Sequence, residues 1–315
     1  MTGPVIVVGN TAADLFVEVH HFPEGTDREF GPASLAVVEH AVRLEVGGNA
    51  GRSASWLRHL GLEVLLLTRL GGDVWGSLLR AELERTGVSV VSVAGTETST
   101  NFVATDRYGN RTSFFYPGEA DYGRPDVREE TSLVAITACP FPSVTDLAEW
   151  VPPLSDQGVP VFVDPGPALV GRPDFNELTT LAGPGVYLAL NSAELADLTG
   201  QDDLGAGVHV AHEYGFPTLV VKLGERGALV SSAADGRALR VPASPMPSSA
   251  PTVGAGDAFN AGFLFGLVNG WDLCRAAAFG NRVAHRALRQ DRTPPDVAAE
   301  MLSNLDDDLK NIQEV

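Results

Sequence analysis

Six short apolar runs alternate with helical patterns along this 315-residue chain, and that rhythm constrains the fold more than any other feature. The runs are Val5–Val8, Val64–Thr68, Leu133–Thr137, Val161–Asp164, Val186–Leu190 and Thr218–Leu223. Several are near-continuous Val, Leu and Ile, as strands covered on both faces are. Helical patterns lie between them: Ala50–Leu60, and Trp75–Arg85 with Trp75, Leu78, Leu79 and Leu83 apolar and Gly87 as a stop. The alternation predicts an α/β fold, a doubly wound, mostly parallel sheet flanked by helices with right-handed crossovers.

Two segments, approximately 12–46 and 96–118, break the rhythm. Leu15–Val19 has strand character, and Leu35–Val46 places Ala36, Val38, His40, Val42, Leu44 and Val46 on one face. Thr98–Thr105 and Thr112–Tyr116 are joined by a turn over Asp106–Arg111 that contains Gly109-Asn110. They predict a small antiparallel β lid inserted into a single domain spanning residues 1–315. A lid over the carboxyl ends of the main strands would keep water from a reaction. An edge extension or a homodimer surface accounts for the same pattern.

The formal net charge of −18 argues against nucleic acid and anionic membrane as partners. Arg275, Arg282, Arg286, Arg289 and Arg292 form the densest basic stretch, but few aromatics interleave them, so local charge pairing is expected. No apolar run approaches a membrane span. Met1 through Pro4 lead directly into a strand without a basic leader, and Cys139 and Cys274 are too few and too distant for a disulfide framework. These features predict a cytoplasmic protein.

The chemistry concentrates in GAGDAFNAG at Gly254–Gly262. Small residues Gly254, Ala255 and Gly256 precede Asp257 at the start of an apolar helical run, so backbone N–H groups and a positive dipole end face open space. A carboxylate beside such an anion hole can take a proton from a hydroxyl while a phosphoryl group is delivered to it. Phosphoryl transfer is the predicted chemistry; the plain alternative is Asp257 as an ordinary helix cap.

Other polar clusters follow strand ends. Asp14 lies in Gly9-Asn10-Thr11-Ala12-Ala13-Asp14, matched to sugar hydroxyls or to a turn. Gly47, Gly48 and Asn49 open the next helix pattern, and Asp73 after Gly71-Gly72 reads as a helix cap. Asn191 and Glu194 are placed either to organise phosphates and hydrated Mg²⁺, or to cap a helix. Lys222, Gly224 and Gly227 could approach a nucleotide, or form a hairpin with a solvated Glu225-Arg226 tip. There is no GxxxxGK[ST] loop, no GxGxxG after the first strand, and no HExxH.

With GNTAAD at Gly9–Asp14, VGGNAG at Val46–Gly51, NSAE at Asn191–Glu194, KLGERG at Lys222–Gly227 and TVGAGDAFNAGF at Thr252–Phe263, nearly the whole chain resembles the PfkB (ribokinase-like) carbohydrate kinases. The resemblance implies a doubly wound α/β domain with a β lid, and Mg·ATP as phosphoryl donor to a sugar, nucleoside or related alcohol. It implies Asp257 as catalytic base and Gly254, Ala255 and Gly256 as anion hole. Asp14, Gly47, Gly48 and Asn49 would lie on the substrate side, with Asn191 and Glu194 in the phosphate and hydrated-magnesium region. Lys222, Gly224 and Gly227 would be nucleotide-side, and Asn281 would lie near the nucleobase.

Two positions depart from the family pattern. Pro251-Thr252 stands where Asp-Thr is common, which removes an acid often found near a monovalent-cation site. Gly51-Arg52 stands where Ala-Asn is common. Arg52 inside the pocket would favour an acidic or phosphorylated acceptor; turned outward it would be a surface cation. Asp164-Pro165-Gly166-Pro167 also lacks the Asn and Arg frequent after Asp-Pro in sugar kinases. The expectation is an ATP-dependent kinase of a sugar or related polyol. Its alternatives are a nucleoside kinase and a catalytically weak sugar- or nucleotide-binding regulator.

Overall fold

The computed structural model describes residues 3–19, 38, 40–95, 97–106, 110–138, 141–166, 175–243, 254–289, 301–303 and 305–315. Among the described residues ten strands form one sheet: β1 (Val5–Val8), β4 (Val64–Gly71), β5 (Ser89–Gly95), β8 (Leu133–Thr137), β9 (Val161–Asp164), β10 (Val186–Asn191), β11 (Thr218–Lys222), β12 (Ala228–Ser232), β13 (Arg237–Val241) and β14 (Gln313–Glu314). Their order is β14-β13-β12-β11-β10-β9-β8-β1-β4-β5, parallel from β11 through β5 and antiparallel from β12 outward. All six apolar runs are strands within the parallel part. They are buried there because helices cover both faces, which is why they lack alternation.

The edge strand β5 and the next-to-edge strand β13 escaped the sequence reading. β5 is Ser-interrupted and half exposed, while β13 carries two arginines, so neither shows the continuous apolar run of an interior strand. A smaller sheet has the order β3-β2-β6-β7, from β2 (Ala12–Val19), β3 (Arg43–Gly47), β6 (Ser99–Asp106) and β7 (Arg111–Tyr116). Its outer pairings are antiparallel and its central β2–β6 pairing is parallel. Of the expected Leu35–Val46 strand, residues 43–46 belong to β3, residues 38 and 40–42 are not in a strand, and 35–37 and 39 lie outside the described residues.

The helices are α1 (Asn49–His59), α2 (Val74–Arg85), α3 (Val144–Ala148), α4 (Val151–Asp156), α5 (Ser192–Thr199), α6 (Leu204–Glu213), α7 (Ala255–Val268), α8 (Leu273–Leu288) and α9 (Leu305–Asp308). One core cluster joins α1, α7 and α8 to one side of the large sheet, and a second gathers α3 through α6 on the other. α7 is buried from Asp257 through Gly266. Such an all-round apolar helix needs close partners, and glycine supplies them: a Cβ on Gly262 would lie 2.8 Å from Gly280 Cα, and one on Gly266 2.7 Å from Ala276 Cα. α7 is thereby locked against α8, and its first turn is held in place.

Asp73 caps α2 by accepting from Gly76 N–H, as expected. Asp306–Asp308 belongs to α9, where Asp308 pairs with Arg282 and Asp306 with Arg275. Arg275 and Arg282 of α8 thus find local acidic partners. Pro251, Thr252 and residues 290–300 lie outside the described residues.

Candidate active site

Strand order reverses at β1, where β4 and β5 lie to one side and β8 through β11 to the other. Open α/β sheets bind ligands at the carboxyl ends of their strands beside such a switch point. The chain places its polar residues there. Asp164 ends β9, Asn191 ends β10 and Lys222 ends β11, with Thr137 opposite Asp164 and Asn191 opposite Lys222 in register. β1 leads through Gly9, Asn10 and Thr11 into β2, which carries Asp14.

Asp14 is buried within a strand, which corrects the turn or cap alternative. Its carboxylate lies across Gly47, where a Cβ would come within 2.2 Å of the Asp14 carboxyl carbon. Any larger residue at 47 would displace it. Gly48 precedes α1 and Asn49 is its first residue. The Asn49 amide nitrogen faces the loop after β9, 3.8 Å from where a Cβ on Gly166 would stand. Arg52, one turn further, turns inward and pairs through Nη2 with Asp14 Oδ2; the two side chains are 16% and 4% exposed. Burial opposes the Arg52 charge, but the Asp14 carboxylate and then Asp257 outweigh it and raise the guanidinium pKa.

Gly254 precedes α7 with φ 78, a left-handed conformation that suits glycine, and offers no side-chain cap. The cap position belongs to Gly254, so Asp257 in the first turn is not an ordinary cap. A Cβ on Gly254 would sit 2.5 Å from Arg52 Nη1, whereas one on Gly256 would meet nothing within 4 Å. The opening of α7, through Ala255, therefore faces free space on one side and a guanidinium on the other.

Asp257 is 9% exposed, and its pKa is raised to about 7. Burial is the main cause, Asp164 and Asp14 push the same way, and Arg52 followed by Lys222 oppose them. A carboxyl group balanced near neutrality suits proton transfer at physiological pH.

Two site residues were not singled out in the sequence. Asp164, 3% exposed, accepts from Lys222 Nζ and from Asn260 Nδ2. A charged residue closing an apolar strand at its carboxyl end was the available signal. Asn260 lies three residues after Asp257, on the same face of α7. Burial opposes the Lys222 charge, and Asp164 followed by Glu194 hold it on and raise its pKa. Glu194 is pushed up by burial and by Asp164.

Asn191 and Glu194 form a reciprocal capping box on α5: Asn191 Oδ1 accepts from Glu194 N–H, and Glu194 Oε2 accepts from Asn191 N–H. Both are thus committed to the cap, yet Glu194 Oε1 makes no protein hydrogen bond among the described residues. Gly224 and Gly227 flank an exposed Glu225-Arg226 tip, as the hairpin alternative expected. Asn281, expected near a nucleobase, donates to the carbonyls of Val241 and Pro242. A cavity of about 490 Å³ lies between α1, α2 and β3; its lining includes Arg52 but not Asp14 or Asp257.

The arrangement provides a near-neutral buried carboxyl group, a helix start without a side-chain cap, and a second carboxylate held by a guanidinium. A family model described as pfkB family carbohydrate kinase matches residues 5–295. A nucleoside kinase of Methanothermobacter thermautotrophicus is 28% identical over 304 residues, covering 93% of this chain and 92% of that protein. An uncharacterized sugar kinase of Archaeoglobus fulgidus is 30% identical over 241 residues, covering 74% of this chain and 94% of that protein. Ribokinase of Arabidopsis thaliana, complexed with ribose and ATP, superposes with TM-score 0.74 and 22% identity over 96% of this chain and 99% of that one, a likeness of fold.

Proposed function

The chain belongs to the pfkB family of carbohydrate kinases and is a sugar or nucleoside phosphotransferase; from that premise we propose that it transfers the γ-phosphoryl group of ATP to a hydroxyl of a neutral sugar. The carrying observation is Asp257, buried beside the uncapped start of α7 with its pKa near 7. Asp257 takes the proton from the attacking hydroxyl. The Gly254, Ala255 and Gly256 amides stabilise the charge on the transferred oxygens. Asp14 and Asn49, with Gly47 and Gly48 leaving room, bind acceptor hydroxyls.

Arg52 bears on the class of acceptor. Its charge is already matched by Asp14, so the acceptor site offers little net positive charge to an acidic or phosphorylated sugar. A neutral polyol fits better.

On the donor side, Lys222, Gly224 and Gly227 border the nucleotide, and Asn281 acts indirectly by fixing the backbone at Val241 and Pro242. Oxygen donors suit Mg²⁺, and the unengaged Glu194 Oε1 offers one to a metal-bound water. Bound with ATP, Mg²⁺ would neutralise and orient the phosphates. The small sheet covers the cleft as a lid. Its exposed Phe102, Phe114, Phe115 and Tyr116 point to a second copy as partner through edge strand β7. Light scattering checks this: a dimer that becomes monomeric on Phe114→Glu is expected, and a wild-type monomer would exclude it. Among the described residues no helix is long and apolar enough to cross a membrane, and we place the enzyme in the cytoplasm; fractionation of cells tests that assignment.

A nucleoside kinase is the second reading, favoured by the relative that is 28% identical. A catalytically weak binding regulator accounts poorly for the near-neutral Asp257. Incubation with Mg·ATP and a panel of sugars, sugar acids and nucleosides, read by product mass, tests all three. Phosphorylated neutral sugars are expected. Products formed from nucleosides but not free sugars would transfer the assignment to nucleosides, and ATP binding without any product would favour the regulator.

A further inference from the structure

Arg52 carries five N–H donors on a largely buried side chain, yet among the described residues Asp14 is the one hydrogen-bond partner of its guanidinium. No Arg52 nitrogen is both buried and unpaired, so its remaining donors stay open to solvent and are available to an arriving ligand. The position of the group indicates what arrives. Nη2 holds the acceptor-side carboxylate of Asp14, while Nη1 lies where a Cβ on Gly254 would come within 2.5 Å, at the opening of α7. Glycine at 254 makes room for this guanidinium beside the backbone anion hole.

The charges around it are mostly negative. Asp14 on β2, Glu45 on β3 and Asp257 on α7 act on Arg52; behind them Asp164 on β9, Glu194 on α5 and Lys222 on β11 form the adjoining cluster. A phosphoryl group entering this surrounding needs a cation at the α7 opening. Lys222 Nζ is held by Asp164 at the end of β11, whereas Arg52 pairs with Asp14 through Nη2 and keeps Nη1 beside Gly254 at that opening.

Building on the kinase reading, we propose that Arg52 is a catalytic residue of this chain: anchored by Asp14, it donates from Nη1 to the oxygens of the γ-phosphoryl group during transfer. The bond from the acceptor oxygen to Pγ forms as the bond from Pγ to the β–γ bridging oxygen breaks. The hydroxyl proton goes to Asp257, and ADP leaves with the electron pair of the broken bond. Arg52 gains and loses no proton. It stabilises the charge spread over the equatorial oxygens, the work a guanidinium fork performs well on phosphate. If it served only to orient Asp14, its effect would be confined to the acceptor.

An acceptor-free measurement separates those roles. Calorimetric binding of Mg·ADP, with and without aluminium fluoride as a mimic of the transferring group, is compared for the wild type and Arg52→Met. The expected result is a loss of about 10²-fold in affinity for the fluoride complex, with Mg·ADP alone changed by less than about twofold. Arg52→Lys, which keeps the charge without the fork, falls between. Thermal melts report folding, and the Asp14→Asn/Arg52→Met double variant avoids leaving a carboxylate unpaired. If the double variant regains wild-type affinity for the fluoride complex, Asp14 repulsion rather than a lost donor explains the single variant, and the proposal is overturned. Equal losses for both ligands, or none, also overturn it while leaving the kinase reading intact. A wild-type protein that binds neither ligand would sink both.

Discussion

Asp257→Asn is expected to reduce kcat by about 10³-fold, within the range of general-base catalysis, while raising thermal stability. Asn is nearly isosteric and leaves the backbone of the α7 opening in place, so the loss isolates the proton acceptor. The stability gain follows from the same burial that tunes the group. The Asp257 pKa stands at about 7, against an ordinary value of 3.8. A raised acid binds more protons when folded than when unfolded between those values. Its contribution to stability is therefore greatest below the unfolded value and is lost as pH rises toward 7. Above that window the ionised group costs up to about 4 kcal/mol, and Asn removes the charge responsible.

The pH–rate profile has the opposite sense. Only ionised Asp257 accepts a proton, so kcat/KM should rise about tenfold per pH unit below 7 and level off above it. Thermal melts and initial rates across pH 5 to 9 check both halves. A profile flat through neutrality, or an Asn variant with more than about a tenth of wild-type kcat, would remove Asp257 from the role of base.

Lys222→Met should be the most damaging single change to the stability of the site. Asp164 is 3% exposed and would keep its bond from Asn260 while losing its counter-charge, with Glu194 nearby. Breaking a buried pair from one side typically costs about 3–5 kcal/mol, because a desolvated charge is left behind. Lys222 also helps to keep Asp257 ionised, so the active fraction should show its pH profile displaced upward. Adding Asp164→Asn should recover most of the stability, since the pair is then removed from both sides. Denaturant titration of the wild type and the two variants is the check. A loss under about 1 kcal/mol for Lys222→Met alone would mean that water already screens this cluster.

The sequence was most legible where the determining physics is local. Continuous Val and Leu runs mark interior parallel strands because helices cover both faces, while Ser in edge strand β5 and Arg in next-to-edge β13 interrupt that signal. GAGD identifies an uncapped helix start because glycine and dipole effects act within one turn. Asp73 and the Asn191–Glu194 box were readable as caps for the same reason, their partners lying three residues away.

The remainder of the site depends on contacts far apart along the chain. Arg52 meets Asp14 across 38 residues, Lys222 meets Asp164 across 58, and Asn260 meets Asp164 across 96. Whether Arg52 turned inward had no local answer, since a helical arginine tolerates solvent as readily as a carboxylate. By itself the sequence determined the α/β architecture and the glycine-rich start of the helix that carries Asp257, through periodicity and local backbone chemistry. Only the tertiary structure decided which charges surround that carboxyl group, because desolvation and Coulomb interactions depend on distances that chain order does not contain.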